Sequence, residues 1–148
     1  MWSPRNAAAF AEKFSVHAAS SAEDAVRGAD VVVVASGSQT PVLRGEWLSP
    51  GVHINAVGAT RPTWRELDDA VIRRAKLYVD SREAASQESG DVIAAQGTFF
   101  ELGEVLGGLR PGRENDDDIT LFKSVGVAVE DIASAALVWR LATAGESV

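Results

Sequence analysis

Two short segments that combine small, hydroxyl-bearing and turn-forming residues could form a nucleotide site. The first exit loop, residues 36–41, follows a valine-rich run, and the second exit loop, residues 58–62, follows Val57. Hydroxyls and backbone N–H groups suit ribose and phosphate oxygens, and the ligands of parallel sheets bind beyond the carboxyl ends of the strands. Ordinary strand-exit loops have the same composition, so composition alone leaves both interpretations open.

The glycine patterns that mark a complete nucleotide site do not occur. No Gly-x-Gly is present in the 148 residues, so the Gly-x-Gly-x-x-Gly turn that brings a backbone close to a pyrophosphate is missing. No Gly-Lys-Ser/Thr occurs either, which excludes a P-loop. The sequence therefore predicts part of a nucleotide site and not a self-contained one.

Other site chemistries have little support. The chain has no cysteine, which excludes disulfides, cysteine-ligated metals and cysteine nucleophiles. His53 lies within an apolar run and is interpreted as a core or sheet-face histidine, and His17 as structural. The acidic run at residues 114–118 lacks the spacing of a calcium loop, so we expect a solvated loop and no metal site.

Composition limits the partners. With 14 basic and 21 acidic residues the net charge is −7, which argues against binding nucleic acid or anionic membranes. A hydrophobic fraction of 46% predicts a folded core. No apolar run reaches the roughly 18 residues of a membrane span, and residues 1–5 lack the apolar core of a signal peptide. Together with the missing cysteines, these features favour a cytoplasmic protein.

Alternating strand and helix patterns predict an α/β fold with a parallel sheet. Strands are predicted at residues 31–35, 52–57, 77–80 and 120–122, with a shorter candidate at 15–18. The consecutive valines of residues 31–34 are typical of a strand that is covered on both faces.

Helices are predicted between these strands. They cover residues 6–14, 21–27, 63–75, 82–88, 99–106 and 125–142. Ser20 or Ser21 can cap the second helix, and Thr63 with Glu66 forms a capping box for the third. The last helix is apolar nearly all round, so we expect another element or another chain to bury it.

Several blocks of the sequence, taken together, resemble the ornithine cyclodeaminase/mu-crystallin family. They follow the family's order and comprise residues 28–34, 41–48, 50–58, 65–68, 79–81, 88–91, 101–105 and 122–126. Each block alone is weak, whereas the ordered set is specific. Residues 59–69 are most similar to the mu-crystallin branch, which comprises NADP-dependent ketimine reductases that also bind thyroid hormone in vertebrates.

The resemblance implies an incomplete Rossmann-like parallel sheet followed by a long C-terminal helix. The first strand and the Gly-rich turn, which the family carries in its first half, would be lacking. Residues 1–124 would form a partial dinucleotide-binding domain. Residues 125–148 would form a helix that packs on a substrate and dimerisation domain outside this sequence.

The resemblance also implies site residues. The cofactor-binding positions would be Ser3, Arg5, Ser36, Gly37, Val57 and Ser124. The substrate-binding positions would be Thr60, Arg61 and Glu88. A guanidinium at Arg5 would favour the 2′-phosphate of NADP over NAD. Lys123 would pair with a carboxylate or approach the cofactor, and no catalytic residue is assigned.

The reaction that the resemblance implies is NAD(P)-dependent reduction of a cyclic ketimine or imino acid by a homodimer. Thr60 stands where the cyclodeaminase branch carries a catalytic Asp, and a hydroxyl cannot serve as that carboxylate base. We expect the chain to be inactive alone, because half of the site is absent. An ornithine cyclodeaminase-like deaminase, a non-enzymatic thyroid-hormone-like binding module and an inactive chain stable only in an assembly remain alternatives.

Overall fold

A five-stranded parallel sheet forms the centre of the computed structural model, which describes residues 2–3 and 6–144. The strands are β1 (Val31–Val34), β2 (His53–Ala56), β3 (Ala75–Val79), β4 (Phe100–Glu101) and β5 (Ile119–Lys123). Their order in the sheet is β1-β2-β5-β3-β4, and every neighbouring pair is parallel. The predicted α/β class and parallel sheet are confirmed.

Helices connect the strands and extend beyond them. They are α1 (Ala7–Phe14), α2 (Ala22–Val26), α3 (Asp69–Arg74), α4 (Arg82–Glu88), α5 (Gly90–Ala95), α6 (Leu102–Leu106) and α7 (Ala128–Thr143). A short 3₁₀ turn spans Gly45–Trp47. Residues 15–18 form no strand, β4 occupies the start of the helix predicted at 99–106, and α5 was not predicted.

The helix starts show which sequence signals were correct. Ser21 accepts the Asp24 N–H at 3.0 Å and caps α2, as predicted. The capping box predicted for Thr63 and Glu66 is wrong, because α3 begins at Asp69 behind a different cap. Asp68 accepts the Val71 N–H at 2.8 Å there, while the Glu66 side chain turns into the interior.

The apolar core lies on one face of the sheet. It includes Val32, Val34, Ile54, Leu77, Val79 and Leu121, all buried. On the opposite face Val31 and Val33 are 58% and 66% exposed, so the predicted coverage of both faces is wrong for the described part of the chain. The reason is that no described segment packs over these two side chains.

The C-terminal helix α7 exposes much apolar surface. Its exposed large apolar side chains are Val129, Ile132, Leu137, Val138 and Trp139, and none of its residues is buried. The predicted long helix is therefore present, and the element that would bury it stays a prediction. Among the described helices, none is long and apolar enough to cross a membrane.

Candidate functional site

The parallel register brings four strand ends to one side of the sheet, which we call the carboxyl edge. The last residues aligned across these strands are Val34, Ala56, Lys123 and Val79. The residues that follow them leave the sheet side by side. Three predicted cofactor positions, Ser36, Val57 and Ser124, are therefore brought to one edge.

The first exit loop is held by hydrogen bonds on one side and open on the other. The Ser36 N–H donates to Glu66 Oε1 at 2.5 Å, and the Ser36 hydroxyl accepts the Ser38 N–H at 3.3 Å. The Ser38 hydroxyl donates to the Thr40 carbonyl at 2.6 Å. A Cβ built on Gly37 would meet nothing within 4 Å, so this loop leaves open space beside the carboxyl edge.

The second exit loop is packed tightly against the first. Val57 donates its N–H to the Val34 carbonyl at 2.9 Å and keeps 45% of its surface exposed. A Cβ built on Gly58 would lie 2.2 Å from the Ser36 carbonyl oxygen, so only glycine fits there. Ala59 is buried in the left-handed region at φ 50°, which an alanine adopts only when its surroundings enforce it.

The hydroxyl proton of Ser124 already takes part in a hydrogen bond within the protein. It donates to Asp80 Oδ2 at 2.8 Å and accepts the Gly126 N–H at 3.1 Å. A hydroxyl has one proton and two lone pairs, so one lone pair remains. Any ligand group that binds Ser124 in this arrangement must donate a hydrogen bond.

Asp80 is the residue that fixes this orientation. Burial alone would raise the pKa of its carboxyl, but hydrogen bonds from the Ser124 hydroxyl and from the Gly126, Ser81 and Val125 N–H groups outweigh burial, so the pKa is lowered. The carboxylate is therefore ionised at neutral pH. It joins the end of β3 to the turn between β5 and α7.

A fully buried ammonium lies beneath the carboxyl edge. Lys123 donates to the carbonyls of Gly58 and Ser124, so its direct partners are backbone oxygens. Burial lowers the pKa of Lys123, and the carboxylates of Asp91 and Glu66 oppose this shift through space. The predicted carboxylate partner is thus replaced by backbone acceptors with carboxylates nearby.

Asp91, like Glu66, is an acid that is fully buried beneath the carboxyl edge. It accepts the backbone N–H groups of Glu66 at 3.2 Å and Leu67 at 3.1 Å, and the Arg65 Nε atom lies 3.6 Å away. Burial raises the pKa of Asp91, while these N–H groups, Lys123 and Arg65 lower it in part. Sequence reasoning missed Asp91 together with helix α5, in which it lies.

The predicted substrate residues lie beside the cofactor positions. Thr60 and Arg61 are exposed in the second exit loop, and the Arg61 guanidinium stands 4.6 Å from the Trp64 ring centroid. The Arg61 carbonyl accepts the Gly90 N–H at 3.2 Å. Glu88, exposed at the end of α4, precedes Gly90 by two residues, so the backbone brings this loop to the end of α4.

Two further predicted cofactor residues, Ser3 and Arg5, belong to the first residues of the chain. The Ser3 hydroxyl accepts the Asn6 N–H at 3.4 Å before α1. Arg5 lies outside the described residues, so its contact with a 2′-phosphate stays a prediction.

The acidic run lies at the opposite, amino end of the strands. Lys76 of β3 donates to Glu114 at 2.5 Å and to Asp118 at 2.7 Å. The Lys76 ammonium and backbone N–H groups lower the pKa of Asp118 to about 2.

His53 is half-buried on the sheet face, and its Nδ1 atom lies 2.8 Å from the Thr120 hydroxyl oxygen. This position agrees with the interpretation of His53 as a sheet-face histidine.

Comparison with known proteins extends over most of the chain. The model of the ornithine cyclodeaminase/mu-crystallin family matches residues 2–146. Ketimine reductase mu-crystallin of Mus musculus is 50% identical over 143 residues, which cover 92% of this chain and 45% of the mouse protein.

Two solved structures are similar in both sequence and fold. Delta(1)-pyrroline-2-carboxylate reductase of Thermococcus litoralis, in complex with NADH and L-proline, is 35% identical with a TM-score of 0.84, covering 99% of this chain and 51% of that one. An archaeal alanine dehydrogenase dimer with bound NAD is 35% identical with a TM-score of 0.82, covering 97% of this chain and 49% of that one. The chain thus spans about half the length of the relatives it matches.

Proposed function

The chain belongs to the ornithine cyclodeaminase/mu-crystallin family, and from this premise we propose that its carboxyl edge forms one side of a dinucleotide cleft for the reduction of a cyclic imine. The observation that carries the proposal is that Ser36, Val57 and Ser124 follow strand ends that lie side by side at this edge. Two of the relatives are a ketimine reductase and a pyrroline-2-carboxylate reductase, which supports this reaction class.

The edge fits the nicotinamide end of such a cofactor. A half-exposed Val57 offers an apolar surface for the ring, and the free lone pair of Ser124 can accept an N–H of the carboxamide. The open space at Gly37 leaves room for the adjoining ribose. The pyrophosphate has no Gly-x-Gly turn in this sequence, so other groups must hold it.

The chemistry divides between cofactor and protein. A reduced nicotinamide, when bound, supplies a hydride to an electrophilic carbon such as that of a C=N bond. The residues of the chain position this exchange. Val57 excludes water from one side of the ring, and Ser124, held by Asp80, orients the carboxamide.

The substrate side is assigned to Thr60, Arg61 and Glu88. An exposed guanidinium at Arg61 can pair with the carboxylate of an imino acid. Thr60 offers a hydroxyl and no carboxylate base, which favours imine reduction over cyclodeamination. The proposed substrate is therefore a small cyclic imine that carries a carboxylate.

Three further parts of the proposal concern the whole protein. NADP is preferred through Arg5, although both similar solved structures contain NADH or NAD. The free edge of β1 pairs with a further strand, and α7 packs on a substrate and dimerisation domain. The protein acts as a homodimer in the cytoplasm, an assembly that the dimer of the archaeal relative supports.

Backbone amide NMR of the 148-residue chain, titrated with NADH and then with NADPH, tests the cofactor side. We expect shifts at residues 36–38, 57–60 and 124–126, and none at Lys76 or Thr120 on the amino side. Absent shifts, or shifts confined to the amino side, would overturn the proposed cleft. A larger response to NADPH that disappears in Arg5→Ala would support the NADP preference.

Turnover tests the completeness of the site. We expect the 148-residue chain to oxidise no NADH or NADPH with Δ1-pyrroline-2-carboxylate, because only one side of the cleft is present. Sustained turnover by this chain alone would contradict that expectation. Binding of an iodothyronine without any cofactor would favour the alternative of a non-enzymatic binding module.

A further inference from the structure

A buried acid lies between the two exit loops. Glu66 is fully buried (0% exposed), and its Oε1 accepts the Ser36 N–H at 2.5 Å. A Cβ built on Gly58 would lie 2.3 Å from the same oxygen. Ser36 begins the first exit loop and Gly58 begins the second, so this carboxylate touches the start of both loops.

A buried lysine at the end of the central strand contacts the second exit loop. Lys123, the last residue of β5, is fully buried and donates to the Gly58 carbonyl. Glu66 is one of the carboxylates that favour the charged form of this ammonium. The acid therefore holds the first exit loop through an N–H, and the base holds the second through a carbonyl.

Packing alone does not explain an acid at this position. Glu66 Oε2 is buried and has no hydrogen-bond partner among the described residues. Leaving a buried polar oxygen unpaired costs stability, and a buried acid–base pair is often no more stable than apolar side chains of similar size. The hydrogen bond from the Ser36 N–H is what an apolar side chain could not supply.

We propose that Glu66 is a positioning residue that fixes the first exit loop against the second, and so sets the width of the cleft. This inference rests on the proposed function only for the identity of the ligand in the cleft. The Ser36 N–H contact can be measured without any ligand. Glu66 itself is fully buried beneath the edge, so it would act on a ligand through the exit loops and not by direct contact.

Two substitutions separate positioning from packing. Glu66→Gln keeps an oxygen that can accept the Ser36 N–H, whereas Glu66→Leu fills similar space without an acceptor. Glu83→Leu is the matched control, because Glu83 is exposed on α4. Urea unfolding of each 148-residue variant gives the global stability against which the local changes are compared.

Amide hydrogen exchange at Ser36 in the ligand-free chain is the first measurement. In Glu66→Leu we expect the Ser36 amide to exchange at least about tenfold faster than the loss of global stability alone would cause. A tenfold change in rate corresponds to about 1.4 kcal/mol. In Glu66→Gln the rate should stay within about threefold of the parent chain. Equal rates in the Leu and Gln variants, or no local change in either, would overturn the inference.

NADH binding, followed by the amide shifts at residues 57–60, is the second measurement. Glu66→Leu should weaken binding about tenfold, and Glu66→Gln should restore most of it. If the parent chain binds no NADH, the proposed cofactor function fails, and the Ser36 exchange rates still decide whether Glu66 positions the loop. If NADH binds equally well to both variants, Glu66 does not set the cleft.

Discussion

Ser124 shows how one hydroxyl can select the chemical group that it binds. Its O–H donates to Asp80 and one of its lone pairs accepts the Gly126 N–H, which leaves a single acceptor site at the carboxyl edge. A carboxamide N–H satisfies that site, whereas a ketone or methyl group does not. The selection comes from the carboxylate of Asp80, which follows β3 and lies 44 positions away in the sequence.

A cofactor analogue tests this selection. We expect 3-acetylpyridine adenine dinucleotide, which lacks the amide N–H, to bind about tenfold more weakly than NAD. Thionicotinamide adenine dinucleotide keeps the N–H and serves as the control ligand. Titration by calorimetry with the parent chain and with Ser124→Ala gives the comparison. The preference should disappear in Ser124→Ala, and a preference that survives there would assign it to another residue.

Gly58 is the residue at which the two exit loops leave no space. We expect Gly58→Ala to lower the free energy of unfolding by about 1–3 kcal/mol, because the new methyl would meet the Ser36 carbonyl and the Glu66 carboxylate. Urea unfolding measures the change. Gly37→Ala is the matched control, since nothing lies near its added methyl, and should change the stability by less than about 0.5 kcal/mol. Equal losses in the two variants would contradict the tight packing at Gly58.

At the scale of single elements, the start of α3 depends on Asp68. We expect Asp68→Ala to lower the free energy of unfolding by about 1–2 kcal/mol, because the Val71 N–H loses its acceptor and so does the Gly45 N–H. Thr63→Ala, at the exposed position that the sequence pattern favoured, should change it by less than about 0.5 kcal/mol. Thermal unfolding that ranks the two variants in the opposite order would place the cap at Thr63 after all.

Strands β1, β2, β3 and β5 and most helices were predictable because their signals are local. A run of β-branched residues marks β1, and Ser21 caps α2 by accepting the N–H of Asp24, only three positions away. The wrong capping box arises because a distant partner binds one of its side chains. Glu66 fits a capping box by spacing, yet its carboxylate bonds to Ser36, 30 positions earlier.

The candidate site was predictable to the same extent. Residues that follow strands converge at the carboxyl edge, so Ser36, Val57 and Ser124 could be placed there from the sequence together with the family resemblance. The position of β5 between β2 and β3 could not be predicted from the sequence, because strand order depends on contacts between distant segments. Helix α5 was missed because Ser89 ends α4 and caps α5 at once, which leaves no loop to mark the boundary.

At the scale of the whole molecule, the exposed helix α7 should govern association. We expect the mass of the 148-residue chain in light scattering to rise with concentration, because Ile132 and Trp139 are 68% and 72% exposed. Trp139→Lys should weaken this association at least about tenfold by removing apolar contact area. Ser134→Lys adds the same charge to an exposed position of α7 and is the control. A parent chain that stays monomeric at every concentration would contradict association through α7.

The position of the acidic loop has a consequence for the approach of charged ligands. Four of the chain's 21 acidic residues lie within residues 114–118, at the amino end of β5, and the proposed cleft lies at the other end of the strands. A dinucleotide diffusing toward the cleft therefore meets a weaker repulsive field than the net charge of −7 implies. Its encounter rate should accordingly depend less on ionic strength than it would if these carboxylates bordered the cleft.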